Sequence, residues 1–152
     1  MKALAEGVYA VALTLWIGGM WAIGYIVAPT LFYSLPDRAL AGMLAGKLFT
    51  LMAYVGIGCA VYLLLYRLAR FGGAGFRHGA FWIMLLMLLL GLTGEFGVQP
   101  VLAGLKHQAL PAEVMESVFR DRFATWHGVA SVLYLIQSGL GVLLVWVHAR
   151  SR

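Results

Sequence analysis

The pattern of apolar and polar positions is dominated by a run, residues 7–36, that no charged side chain interrupts. About twenty apolar residues suffice to cross a bilayer as a helix. Backbone groups surrounded by lipid must bond within their own segment, so such a run is helical. Further apolar runs follow at 48–66, 79–99 and 123–147, the third carrying Glu95 and the last His127. Together they predict an all-α fold, an integral membrane four-helix bundle with transmembrane helices at 7–32, 48–66, 79–99 and 123–147. The whole chain, 1–152, reads as one membrane domain.

Finer patterning orients these helices. Thr14, Gly18, Trp21, Tyr25 and Ala28 recur at three- and four-residue steps, a stripe expected to face the bundle. Gly18, Gly19 and the Gly42-xxx-Gly46 pair offer surfaces on which another helix can approach closely. Pro29 is expected to bend or end the first span, and Pro100 to close the third. In the last span Ser131, Tyr134, Ser138 and Gly141 form a seam of polar and small residues. Between spans three and four, Val114, Met115, Val118, Phe119 and Phe123 alternate with Glu113, Glu116, Arg120 and Asp121 at helical spacing. That predicts an amphipathic interfacial helix over 112–124. No internal repeat is expected.

Composition removes several function classes. Hydrophobic residues make up 62% of the chain and charged ones 11%, against roughly 25% charged in soluble domains. The formal charge of +5 flanks apolar spans rather than a soluble face, so it points to lipid head groups and not to nucleic acid. Arg67, Arg70 and Arg77 crowd one short connection. By the positive-inside rule that connection is cytoplasmic, and with four spans both termini are too. The expected location is the cell inner membrane. The first apolar run is about twice the ~7–15 residues of a cleaved leader's core, so it is expected to be retained. A single cysteine, Cys59, excludes an internal disulfide.

Candidate chemistry resides in the few polar residues that lipid tolerates poorly, since an ionisable group within a span is a functional hypothesis by default. Glu95 and Gln99 lie one turn apart, His127 opens span four, and Lys47 precedes span two. The topology brings these, with Arg120, to the outer membrane face. The candidate ligand-binding set is therefore Glu95, Gln99, His127, Lys47 and Arg120, with Trp21 and Tyr25 from the first-span stripe. A second reading is an ion pair of Glu95 with Lys47 or Arg120 that locks the bundle, and a third is a proton relay. Haem ligation would want facing His or Met pairs. His78 and His148 fall at the cytoplasmic edge, His107 in the outer connection, and only His127 near a span. No cofactor is predicted, with haem or a metal kept as the alternative. Neither a nucleophile–base pair nor a phosphate-binding loop is present, so no catalytic residue is named.

Several short motifs occur in a fixed order. They are Trp16-Ile17-Gly18-Gly19 with Pro29-Thr30-Leu31-Phe32, then Ala45-Gly46-Lys47-Leu48-Phe49, Gln99-Pro100, and Phe123 with His127-Gly128. This order is similar to that of the transmembrane protein 205-like family, also designated domain of unknown function 4149. The resemblance implies a four-span bundle with a polar set at one membrane face. More distantly, the Trp-x-Gly-Gly element followed by Pro and Leu-Phe resembles copper-resistance D-type proteins and membrane-bound protoporphyrinogen oxidases. Those families place histidines in the first span, and here there are none.

The expected function is that of a non-enzymatic membrane protein whose outer-face pocket binds or carries a small polar ligand, an ion or a lipid head group. Two alternatives stand beside it. One is a cofactor-dependent membrane oxidoreductase. The other is a structural or assembly partner that meets another membrane protein, or a second copy of itself, through its glycine faces.

Overall fold

The computed structural model describes residues 2–108 and 118–150, with side chains at 3–105 and 121–150. Every span is a long helix, as its apolar run requires. Span one comprises α1 (Lys2–Ala22), a π-helical turn (Ile23–Val27) and α2 (Ala28–Ser34). Span two is a single helix, α3 (Arg38–Phe71). Span three comprises α4 (Gly79–Leu92), a second π-helical turn (Thr93–Val98) and α5 (Gln99–Gln108). Span four is α6 (Val118–Arg150). Four helices are thus long and apolar enough to cross a membrane, and the chain is a multi-pass membrane protein. The expected amphipathic helix over 112–124 lies outside the described residues up to 117; from Val118 onward it is the first part of α6.

Short polar signals set the ends. The Asp37 carboxylate accepts from the N–H groups of Ala39 and Leu40, at 2.8 and 3.1 Å, and so caps the N-terminus of α3. The second helix therefore starts at Arg38 and runs unbroken through the region before 48. At its other end Gly72 takes φ 54°, a conformation side chains resist, and its N–H bonds Leu68 C=O. A 3₁₀ turn, Gly72–Arg77, leads into α4, and the Trp82 indole donates to Phe76 C=O at 2.9 Å.

Neither Pro29 nor Pro100 ends its helix. Proline lacks an N–H, and its ring collides with the carbonyl four residues back, which belongs to Tyr25 in one case and Phe96 in the other. Each collision site lies inside a π-turn. There the residue before the proline bonds five residues back: Ala28 N–H to Ile23 C=O, and Gln99 N–H to Gly94 C=O. The wider turn accommodates the ring, and the helix continues to Ser34 or Gln108.

The four spans form an antiparallel ring, with α1 on α3 and α6, and α4 on α3 and α6. The Tyr62 hydroxyl donates to Ala5 C=O, and the Tyr9 ring stacks on His148 and lies tilted against Tyr66. Both ends of the described chain therefore share one end of the bundle with the Gly72–Arg77 turn. We call this end proximal and the opposite end distal. Arg67 sits over Phe71, and Arg150 lies 4.5 Å over Trp146, both at the proximal end.

The packing face of span one differs from the expected stripe. Tyr9, Leu13, Trp16, Ile17 and Met20 are buried, while Thr14, Gly18, Trp21 and Tyr25 are exposed and only Ala28 of the stripe is covered. In lipid both faces of a helix are apolar, so close fit and not polarity selects the inward face. The Trp16 indole lies against Gly56, where a Cβ would stand 2.7 Å from its Nε1. Gly19 receives Met52, and Gly141 receives Ile17 and Met20, whereas Gly18 faces open space. Within the apolar windows of the spans only 17–28% of residues are buried, so lipid must cover the rest.

Candidate functional site

In the distal half the ring divides. There α2 packs on α3, and α5 on α6, and the Phe49 ring of α3 reaches Tyr134 of α6 across the gap between the pairs. Each of the two π-turns stands where the distal part of its span begins. A cavity of about 1510 Å³ occupies the space between the pairs. Its floor is apolar and soft, made by Trp16, Met20, Met52, Gly56 and Met87. Its distal part carries Arg38 and Lys47 from α3, Glu95 and Gln99 from span three, His127 from α6 and Tyr25 from span one.

Each of these side chains has a local reason for its place. Tyr25 lies in the first π-turn, its ring 4.8 Å from Trp21 and 6.3 Å from Tyr134. The Tyr134 hydroxyl donates to Met20 C=O, and its ring lies where a side chain on Gly24 would have to go. Phe49 meets the same ring edge-on at 5.1 Å. Glu95 lies in the second π-turn and Gln99 follows it. His127 stacks on Phe123, ring planes 10° apart at 5.9 Å. Gln137 closes the floor by donating to Met87 C=O at 3.2 Å. Lys47 and His127 are exposed, whereas Glu95 and Gln99 are half-buried.

Of the seven residues singled out from the sequence, Tyr25, Lys47, Glu95, Gln99 and His127 line this one cavity. Trp21 does not: its indole donates to Ser138 C=O at 3.3 Å, and it supports the wall behind Tyr25. The Arg120 side chain lies outside the described residues. Among the described residues no ion pair ties Glu95 to Lys47, and the other partner expected for that lock, Arg120, has its side chain outside them. Nor do three His, Cys, Asp or Glu side chains gather there as a metal set would require.

Sequence reasoning passed over Arg38 and over the two π-turns. Their signal is a short recurrence, Tyr25-x-Val27-x-Pro29-x-Leu31 and Phe96-x-Val98-x-Pro100-x-Leu102. In each copy the proline follows two residues after the π-turn ends. Spans one and three run in the same direction, so the device occurs once in each helix pair, on opposite walls of the cavity. π-turns are frequent at functional sites.

Comparison with curated proteins found no match, and comparison with solved structures found none either. A family model described as domain of unknown function (DUF4149) matches residues 11–111. The match takes in both proline-associated π-turns, Lys47, Glu95 and Gln99, and stops before α6. It covers well over half of the chain, and this protein belongs to the DUF4149 family.

Proposed function

We propose that the protein is a binding or carrier protein of the inner membrane, and that the distal cavity is its ligand site. The observation that carries this reading is the meeting of Tyr25, Lys47, Glu95, Gln99 and His127, from all four spans, on one cavity. Ionisable residues within spans usually face such cavities and mark ligand or ion routes. The ligand takes its polar part among these side chains. The arginines Arg67 and Arg70 at the end of α3 and Arg77 in the following turn support a cytoplasmic proximal end. The cavity then opens toward the outer face. Kinship with the transmembrane protein 205-like proteins is part of the same reading, on the motif order given above.

The test is native mass spectrometry of protein gently extracted from its own membrane, together with an absorption spectrum of the same sample. A defined extra mass whose occupancy falls or rises in Glu95→Gln, with the helical circular dichroism unchanged, supports the reading. A chain that is bare in both forms refutes it. A Soret band accompanied by the mass of haem replaces it with the oxidoreductase alternative.

A further inference from the structure

We infer that the cavity's occupant is a long-chain amphiphile with a monoanionic phosphate head, held with its head among the distal polar residues and its chain on the apolar floor. This rests on the cavity being a ligand site and specifies the ligand's class. Size is the first argument. At about 1510 Å³ the cavity exceeds the ~300–1,000 Å³ of ordinary small-molecule pockets, and an ion or free head group would leave most of it empty. Depth is the second. Trp16 on the floor and Pro29 on the distal wall both line it. Their separation along span one corresponds to about 20 Å at the helical rise of ~1.5 Å per residue. One leaflet contributes about 15 Å of the hydrocarbon core, so the cavity is as deep as a leaflet with a head group above it.

Polarity along that depth gives the orientation. The charged lining residues Arg38, Lys47 and Glu95 are all distal, while Trp16, Met20, Met52 and Met87 make the floor. Among the described residues two cations against one carboxylate leave one positive charge in excess, which a phosphate monoanion neutralises. Arg38 offers the planar fork that suits phosphate oxygens, and Lys47 a point charge. The methionine floor adapts to a flexible chain. Tyr25 and Leu135, from spans one and four, both line the cavity and are 42% and 64% exposed, so a chain that enters from the lipid would pass between them.

The test uses the full chain, stripped of lipid and held in amphipol, with phosphate diesters carrying one methyl and one alkyl group of four to twelve carbons (butyl to dodecyl phosphate), each a monoanion at neutral pH, added below their micelle concentrations. Affinity is expected to rise a few-fold with each added methylene. A nitroxide at the chain end should broaden the indole N–H signal of Trp16, which is 2% exposed, more than that of lipid-facing Trp146. Lys47→Gln should weaken dodecyl phosphate about tenfold and leave dodecyl maltoside unchanged. Inorganic or butyl phosphate binding as tightly as dodecyl phosphate would overturn the inference and leave a small-ligand site standing. Equal broadening of Trp16 and Trp146 would overturn it as well. If no alkyl phosphate binds while the natively extracted protein still carries a mass sensitive to Glu95→Gln, the ligand class is wrong and the site is right. If that mass is also missing, both readings fall.

Discussion

The contact between Trp16 and Gly56 holds spans one and two together at the cavity floor, and a single methyl group tests it. A Cβ on Gly56 would stand 2.7 Å from Nε1 and 2.9 Å from Cδ1 of the indole, where ordinary contacts begin near 3.4 Å. The indole is rigid and 2% exposed, so it must move as a body or push the helices apart. Overpacking of this kind costs about 1–3 kcal/mol. Alanine in place of glycine returns up to about 1 kcal/mol of helix propensity. Gly58, one half-turn further along α3, has no atom within 4 Å of its Cβ position, and Gly58→Ala collects the propensity gain alone. Gly56→Ala should therefore unfold more easily than Gly58→Ala by about 1–3 kcal/mol. Both are measured by titrating dodecyl sulfate into maltoside micelles and following tryptophan fluorescence and helical circular dichroism. If the two variants gain stability equally, the helices are not in contact at this point, and the packing argument for span one fails.

Further predictions concern the parts that shape the cavity. Tyr134→Phe removes the hydroxyl that donates to Met20 C=O; a loss of about 0.5–1.5 kcal/mol is expected in the same titration, and no loss would mean that the bond adds nothing to the wall. Asp37→Ala leaves the N–H groups of Ala39 and Leu40 without their cap and should cost about 1 kcal/mol, with faster amide exchange confined to the first turn of α3; protection unchanged there would count against the cap. Pro100→Ala restores an N–H and removes the ring from the Phe96 carbonyl, so the second π-turn should relax toward ordinary helix. Spin labels at Thr30 and Val101 in a Cys59→Ala background should then show a changed distance between α2 and α5. An unaltered distance distribution would show that the proline does not maintain the turn.

The sequence by itself determined that this is a helical membrane bundle, because lipid leaves the backbone of an apolar run no other choice. It also determined the small-residue seam of span four, where Ser138 and Gly141 are buried against span one, but not the start of α3, which the Asp37 cap sets ahead of the apolar run at 48. The family resemblance was legible in short motifs for the same reason: they are local. Which face of span one turns inward was not legible. Hydrophobicity separates inside from outside in water, but in a bilayer Thr14, Gly18, Leu13 and Trp16 can all meet lipid, and only the shape of Gly56 and Met52 opposite decides. The prolines were visible as breaks, yet their effect was a π-turn and not an end, because neighbouring helices hold the chain in line beyond it. Lys47, Glu95, Gln99 and His127 were visible as misfits in apolar spans. That they line one cavity depends on the separation of α2 and α3 from α5 and α6, a property of how four helices lean on one another that no single helix contains.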